Sequence, residues 1–291
     1  MKRALSALVI CACAGPSPSP PTLNAPDAAR AAGVTALVGE VHLHEFPAGG
    51  HAWASFVRDP VPLASALGGT LTEIDPAVTS VAGACALYVL PSCAACAASE
   101  YCLARDRCAT LPEFHYVGAG AVAVTGSTVV PLIRIWPEGT DGAYVADPAP
   151  GAQRLFAGGE TLAFRGGDGA NAFVAELPAP GPVEVLAPDL VTDLRVPLDG
   201  AMDVRWAPPA SDEVVVRVLV SSASASAWIR CDTASATAIT IPAELIASLP
   251  PPPRTTRLEV ERIEQRVVPT ARAGLGVLVH AAQTTWKNGN D

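Results

Sequence analysis

Apolar and polar residues alternate with a period of two through most of the chain, and glycine or proline interrupts each run. This period puts successive side chains on opposite faces of a strand, whereas the 3.6-residue period of helices is nearly missing. The predicted strands lie at 34–46, 51–57, 119–125, 129–136, 160–165, 202–206, 213–220, 228–232 and 257–263. Short strands separated by turn residues indicate antiparallel sandwiches rather than alternating strands and helices.

One short helix and one break between units complete the predicted organisation. Pro242 suits the first turn of a helix at 242–249, and the prolines at 250–253 end it. The 291 residues allow one large or two ordinary domains, and a break falls at Ala187-Pro188-Asp189. We therefore predict an all-β protein with one antiparallel β-sandwich at 33–187 and a second at 188–291.

The N-terminus has the pattern of an export signal followed by a lipid-attachment cysteine. Lys2 and Arg3 precede the apolar run 4–12, which at ~1.5 Å per residue is too short to span a bilayer. Ala12 is the small residue that a signal peptidase needs before Cys13. We expect residues 1–12 to be a signal peptide, Cys13 to carry the lipid, and 13–32 to be a Pro/Ser-rich tether; ordinary secretion is the alternative.

The charge balance separates this chain from proteins that use nucleic acid. It has 28 acidic and 19 basic residues, with a formal net charge of −9 and no basic run. Binding to phosphate backbones needs clustered positive charge that releases counterions. We expect no nucleic-acid partner, and we expect contact with the outer membrane or cell surface through the lipid alone.

Five cysteines cluster in an insertion at 85–108 that is poor in large apolar residues. They are Cys85, Cys93, Cys96, Cys102 and Cys108, and Cys231 lies far downstream. An exported chain favours disulfides over its rivals, which are a four-thiolate zinc site and a redox pair at Cys93 and Cys96. Because five is odd, Cys231 either bridges to the cluster or stays a buried thiol. Spacing leaves the pairing open.

Two histidines provide the sharpest chemical hypothesis. His42 and His44 alternate on one predicted strand and therefore point to one face, where His51 or His115 could add an imidazole for zinc or copper. The alternative is a strand with a polar, solvent-facing side. No G-x-S-x-G or H-E-x-x-H motif occurs, so we predict no catalytic residue and no cofactor.

The tryptophans fall into two groups. Four lie in strand-like runs and are predicted to be core residues: Trp53, Trp136, Trp206 and Trp228. Trp286 lies near a polar C-terminal tail instead, where exposure is expected. One aromatic residue does not by itself make a carbohydrate site.

Two resemblances refine the predicted fold. Val204-Arg-Trp-Ala-Pro-Pro209 resembles fibronectin type III and related immunoglobulin-like domains, in which a core tryptophan precedes a proline turn. Both sandwich units are therefore expected to be immunoglobulin-like. The chain also resembles uncharacterised bacterial surface lipoproteins, on the cysteines at 93, 96, 102 and 108, the strand 118–125, and the segments 156–162, 229–231 and 241–242. That family implies a lipid-anchored β-sandwich with a cysteine-rich insertion and brings no known activity.

Together these features predict a non-catalytic, lipid-anchored surface protein that binds a protein or glycan, mediates adhesion or supports the envelope. A metal-binding lipoprotein using His42 and His44 is the first alternative. An exported enzyme whose site assembles from distant residues is the second.

Overall fold

The computed structural model describes residues 29–30, 32–63, 78–90, 96–97, 100–104, 107–110, 115–138, 142–151, 153–189, 194–207, 213–223, 225–234 and 237–290. The predicted signal peptide, Cys13, most of the tether and Cys93 lie outside these residues. Within them no helix is long and apolar enough to cross a membrane.

Strands dominate the described chain, as predicted. The first nine are β1 (Ala36–Phe46), β2 (Gly49–Pro62), β3 (Val78–Ala82), β4 (Cys85–Leu90), β5 (Glu100–Ala104), β6 (Arg107–Thr110), β7 (Val122–Thr125), β8 (Leu132–Glu138) and β9 (Ala143–Asp147). The others are β10 (Thr161–Gly166), β11 (Phe173–Pro178), β12 (Glu184–Ala187), β13 (Met202–Ala207), β14 (Glu213–Ser222), β15 (Ser226–Ala234), β16 (Ala238–Ile241), β17 (Arg254–Pro269) and β18 (Leu275–Asn290). The predicted helix is present but short, α1 (Ala243–Ile246), and a 3-10 turn lies at Gly169–Asn171.

One long sheet organises the fold. Its eight strands follow the order β2-β1-β18-β17-β14-β15-β4-β3, and smaller sheets follow the orders β11-β10-β7-β8-β9, β12-β13-β16 and β5-β6. Neighbouring strands are antiparallel except β1 and β18, which run parallel. The expectation of a purely antiparallel fold is therefore wrong at this one pair. A parallel pair needs a long connection, and most of the chain lies between these two strands.

Two hydrophobic cores lie on the same face of the long sheet. The first packs β1, β2 and β18 against the five-stranded sheet, with Phe56, Phe164 and Ile133 fully buried. The second packs β14, β15 and β17 against the three-stranded sheet and α1, around Trp206. Apolar burial of this kind contributes roughly 25 cal/mol per Å². The all-β sandwich prediction is confirmed, with both sandwiches built on one shared sheet.

The sheets do not divide at residue 187. The long sheet combines β1 to β4 with β14, β15, β17 and β18, and β12 pairs with β13 across the break. The break predicted at residue 187 coincides with the end of β12. Pairing between distant strands joins the residues before this position to those after it. The first core also contains Val277 and Val279, and the second contains Leu87, so each core draws on both segments.

Candidate binding site

The second face of the long sheet, opposite the two cores, carries a concentration of polar and aromatic residues; we call it the outer face. Cross-strand register places His42 beside both Trp53 and His280, and His44 beside His51. Residues directly opposite one another share a face. Three adjacent strands therefore bring four histidines together, and the last of them, His280, has no local signal in the sequence.

His42, which is buried, and His280, which is partly buried, form an imidazole pair. Their Nδ1 atoms are 2.7 Å apart, and Nε2 of His42 lies 3.1 Å from Oε2 of Glu40. The His42 ring stacks on Trp53 with centroids 3.9 Å apart. Burial, with His44 nearby, lowers the pKa of His42 to about 3, and burial also lowers the pKa of His280 well below its ordinary value. Both rings are therefore neutral at pH 7.

His44 belongs to a neighbouring network with a different partner set. Its Nε2 lies 2.6 Å from Oγ1 of Thr284 and 3.1 Å from Oε1 of Glu261. The second Glu261 oxygen accepts from Arg217. Burial lowers the pKa of His44, and Glu261 only partly opposes that shift. Burial would raise the pKa of Glu261, but Arg217 and the histidines outweigh it and hold that pKa below its ordinary value.

His115 does not supply a third ligand for a metal site that uses His42 and His44. That side chain pairs with Asp59, with Nδ1 and Oδ2 3.1 Å apart, and 48% of it is exposed. The predicted grouping of His115 with His42 and His44 is therefore wrong. Among the described residues no group of three or more His, Cys, Asp or Glu side chains is arranged to hold a metal ion.

An open depression of about 370 Å³ lies next to the histidine networks, where β1 turns into β2. We call it the aromatic depression. Phe46, Trp53 and Trp286 line it together with His44 and His51. Concave sites lined by aromatic side chains with a few polar groups are the usual form of small-ligand sites. The composition of this lining therefore suits recognition of a small ligand.

Each aromatic ring of the depression is supported by a neighbouring group. His42 stacks on Trp53, His44 stacks on Phe46 at 3.9 Å, and the guanidinium carbon of Arg257 lies 4.4 Å from the centroid of Trp286. A cation over a Trp ring is attracted by its π electrons. Rings held in this way keep their orientation when the ligand is absent, which is what a preorganised site needs.

Gly151 lies in the lining of the depression, and Glu45 holds the segment 153–157. This buried carboxylate accepts hydrogen bonds from the backbone N–H groups of Leu155 and Phe156. The backbone N–H of Gly151 also donates a hydrogen bond to the carbonyl oxygen of Gly50 on β2, at 2.7 Å. A side chain at Gly49, which has φ +133°, would bring Cβ within 2.7 Å of Gly151 O. Glycine is therefore required where loop and turn meet.

The cysteines form two disulfides within the described residues. Cys85 bridges to Cys231 between β4 and β15, across 146 residues, and Cys96 bridges to Cys108. The first bridge is the downstream pairing that spacing left open. Cys102 lies on β5 opposite Cys108. Disulfides are typical of exported proteins, so this feature is consistent with a location outside the cytoplasm.

No protein-family model, curated protein or solved structure matches the sequence. The resemblance to bacterial surface lipoproteins therefore stays a prediction, and function has to be argued from the chemistry of the outer face.

Proposed function

We propose that this chain is an exported, lipid-anchored surface protein that acts as a non-catalytic binding module, with the aromatic depression as its binding site. The observation that carries the proposal is the set of three supported aromatic rings around an open depression of about 370 Å³. The disulfides support the exported location. Outer-membrane anchoring rests on Cys13 and the signal pattern before it.

The surrounding networks favour binding over catalysis. Polar contacts around His42 and His44 hold neighbouring side chains in place, as the Glu40–His42–His280 and Arg217–Glu261–His44 contacts illustrate. Such networks hold the side chains beside a binding site in fixed positions. A binding role also suits a site whose side chains lie on the strands of one long sheet, because strands hold side chains more precisely than loops do.

The anchor is tested by changing Cys13 to Ser in the full chain. We expect the variant to leave the membrane fraction while the unchanged protein stays in it, because the thiol is the point of lipid attachment. Cys102→Ser, which also replaces one cysteine by serine, is the matched control and should stay membrane-bound. A Cys13 variant that still partitions with membranes would contradict lipid anchoring.

The binding role is tested with the full chain purified in detergent and four classes of small probe: neutral trisaccharides, charged trisaccharides, uncharged tetrapeptides and palmitate. We expect calorimetry to detect binding of at least one class, and we expect Trp286→Ala to weaken it at least tenfold. Mass spectrometry should recover the bound probe unchanged. Absence of binding in all four classes, binding indifferent to Trp286, or a converted probe would each overturn this proposal.

A further inference from the structure

Among the residues that the structure describes, the side chains that line the aromatic depression include no Asp, Glu, Lys or Arg. Two charged groups beside the lining have charged partners of their own: Arg257, which lies over Trp286, pairs with Glu259, and Glu261 pairs with Arg217. A charged ligand would lose water on entering and find no opposite charge among the described side chains of the lining. The charge pattern is therefore complementary to an uncharged ligand.

The polar groups that remain are imidazoles, which suit hydroxyl groups. Both contacts of His44, to Glu261 and Thr284, use Nε2. With Nε2–H donating to the Glu261 carboxylate, the neutral ring keeps Nδ1 as an acceptor. His51 lies opposite His44 on the next strand, and its ring meets Phe46 edge-on at 5.3 Å between centroids. A ligand rich in hydroxyl groups would meet Nδ1 of His44 as an acceptor on one side and the imidazole of His51 on the other.

The aromatic rings supply the apolar part of the same recognition. Phe46, Trp53 and Trp286 are all partly exposed, and each is supported by a neighbouring side chain. The C–H groups on one face of a sugar ring complement the negative face of a π system. A volume of about 370 Å³ lies at the small end of ligand sites, which run roughly from 300 to 1,000 Å³. That size suits one or two sugar rings.

We infer that the aromatic depression binds a neutral saccharide, with a sugar ring stacked on the aromatic side chains and its hydroxyl groups hydrogen-bonded to His44 and His51. This inference rests on the proposed binding function and names its ligand class. It excludes acidic and amino sugars as preferred ligands because the lining offers them no counter-charge.

The test uses the full chain in detergent and measures affinity for maltotriose, cellotriose and the neutral N-acetylglucosamine trimer. The glucosamine trimer and the galacturonate trimer are the cationic and anionic counterparts. We expect at least one neutral trimer to bind and both charged trimers to bind at least tenfold more weakly. Trp286→Ala should weaken the neutral trimer at least tenfold, and Trp286→Phe should retain part of the affinity because a ring remains.

Trp228→Ala is the matched control for the same experiment. Trp228 is also a partly exposed tryptophan of the outer face, but it stacks on Tyr88 far along the sheet from the depression. This variant should bind as the unchanged chain does. Circular dichroism checks that each variant is folded, and Trp286→Phe keeps the test decisive where Trp286→Ala does not fold.

Two negative results have different meanings. Trp286-dependent binding of palmitate, a tetrapeptide or a charged trimer, without binding of any neutral trimer, would overturn the saccharide inference and leave the binding function in place. Failure of every probe to bind would overturn both. Neutral-trimer binding that Trp286→Ala and Trp228→Ala change equally would also overturn the assignment to this depression.

Discussion

Burial of His42 makes folding stability depend on pH. The pKa of this ring is about 3 in the folded protein because it is buried among Glu40, Trp53, His44 and His280, whereas an exposed histidine titrates near 6.5. Between these values the unfolded chain binds the proton and the folded chain does not. Stability from this group is therefore complete above pH 6.5 and falls with acidification, by about 1.4 kcal/mol per pH unit.

We expect His42→Gln to flatten this dependence. Urea unfolding at pH 7.5, 6.5, 5.5 and 5.0 should show the unchanged protein losing stability relative to the variant as pH falls. His115→Gln removes an imidazole that is about half exposed, and it should follow the pH profile of the unchanged protein. Parallel profiles for the unchanged chain and His42→Gln would mean that the ring is not buried as a neutral group.

At the scale of elements, the segment 153–157 is held by a single side chain, Glu45. Glu45→Ala would leave the buried N–H groups of Leu155 and Phe156 without their acceptor. Each unsatisfied buried group costs about 1–3 kcal/mol, so we expect urea unfolding to show a loss of roughly 2 kcal/mol or more. Because Gly151, close to this segment in the chain, lines the depression, we expect ligand affinity to fall as well.

Glu160→Ala is the matched control for the loop. Its carboxylate also accepts from backbone N–H groups, among them those of Ala157 at 2.8 Å and Gly158 at 2.6 Å, but these positions are only partly buried. Water can replace the lost acceptor there, so the loss of stability should be smaller. Equal losses of unfolding free energy in Glu45→Ala and Glu160→Ala would show that burial of the Glu45 carboxylate does not increase its contribution to stability.

Strand alternation and strand pairing differ in how far sequence can predict them. Alternation put His42 and His44 on one face and predicted most strands of the cores. It could not predict His280 or Trp286, because β18 reaches the site through a parallel pair with β1, and pairing between distant strands leaves no local pattern. Core burial was predicted for Trp206, which is 1% exposed, but was wrong for Trp136, which is 39% exposed. An alternating strand does not reveal which face is covered.

At the scale of the whole molecule, the bridge between Cys85 and Cys231 closes the longest loop of the described disulfides. It joins β4 to β15 inside the second core and spans 146 residues, against 12 for the bridge between Cys96 and Cys108. A disulfide stabilises mainly by restricting the unfolded chain, and the effect grows with loop length. The long bridge should therefore contribute more to stability than the short one.

We expect the double variant Cys85→Ala/Cys231→Ala to lose about 4–5 kcal/mol of unfolding free energy, and Cys96→Ala/Cys108→Ala to lose about 3 kcal/mol. Urea unfolding of both variants under oxidising conditions measures the difference. The long bridge also lies in a core, where two alanines leave a cavity that adds to its loss. A smaller loss for the long bridge would mean that the long sheet already holds β4 against β15 in the unfolded ensemble, so that the covalent link restricts little.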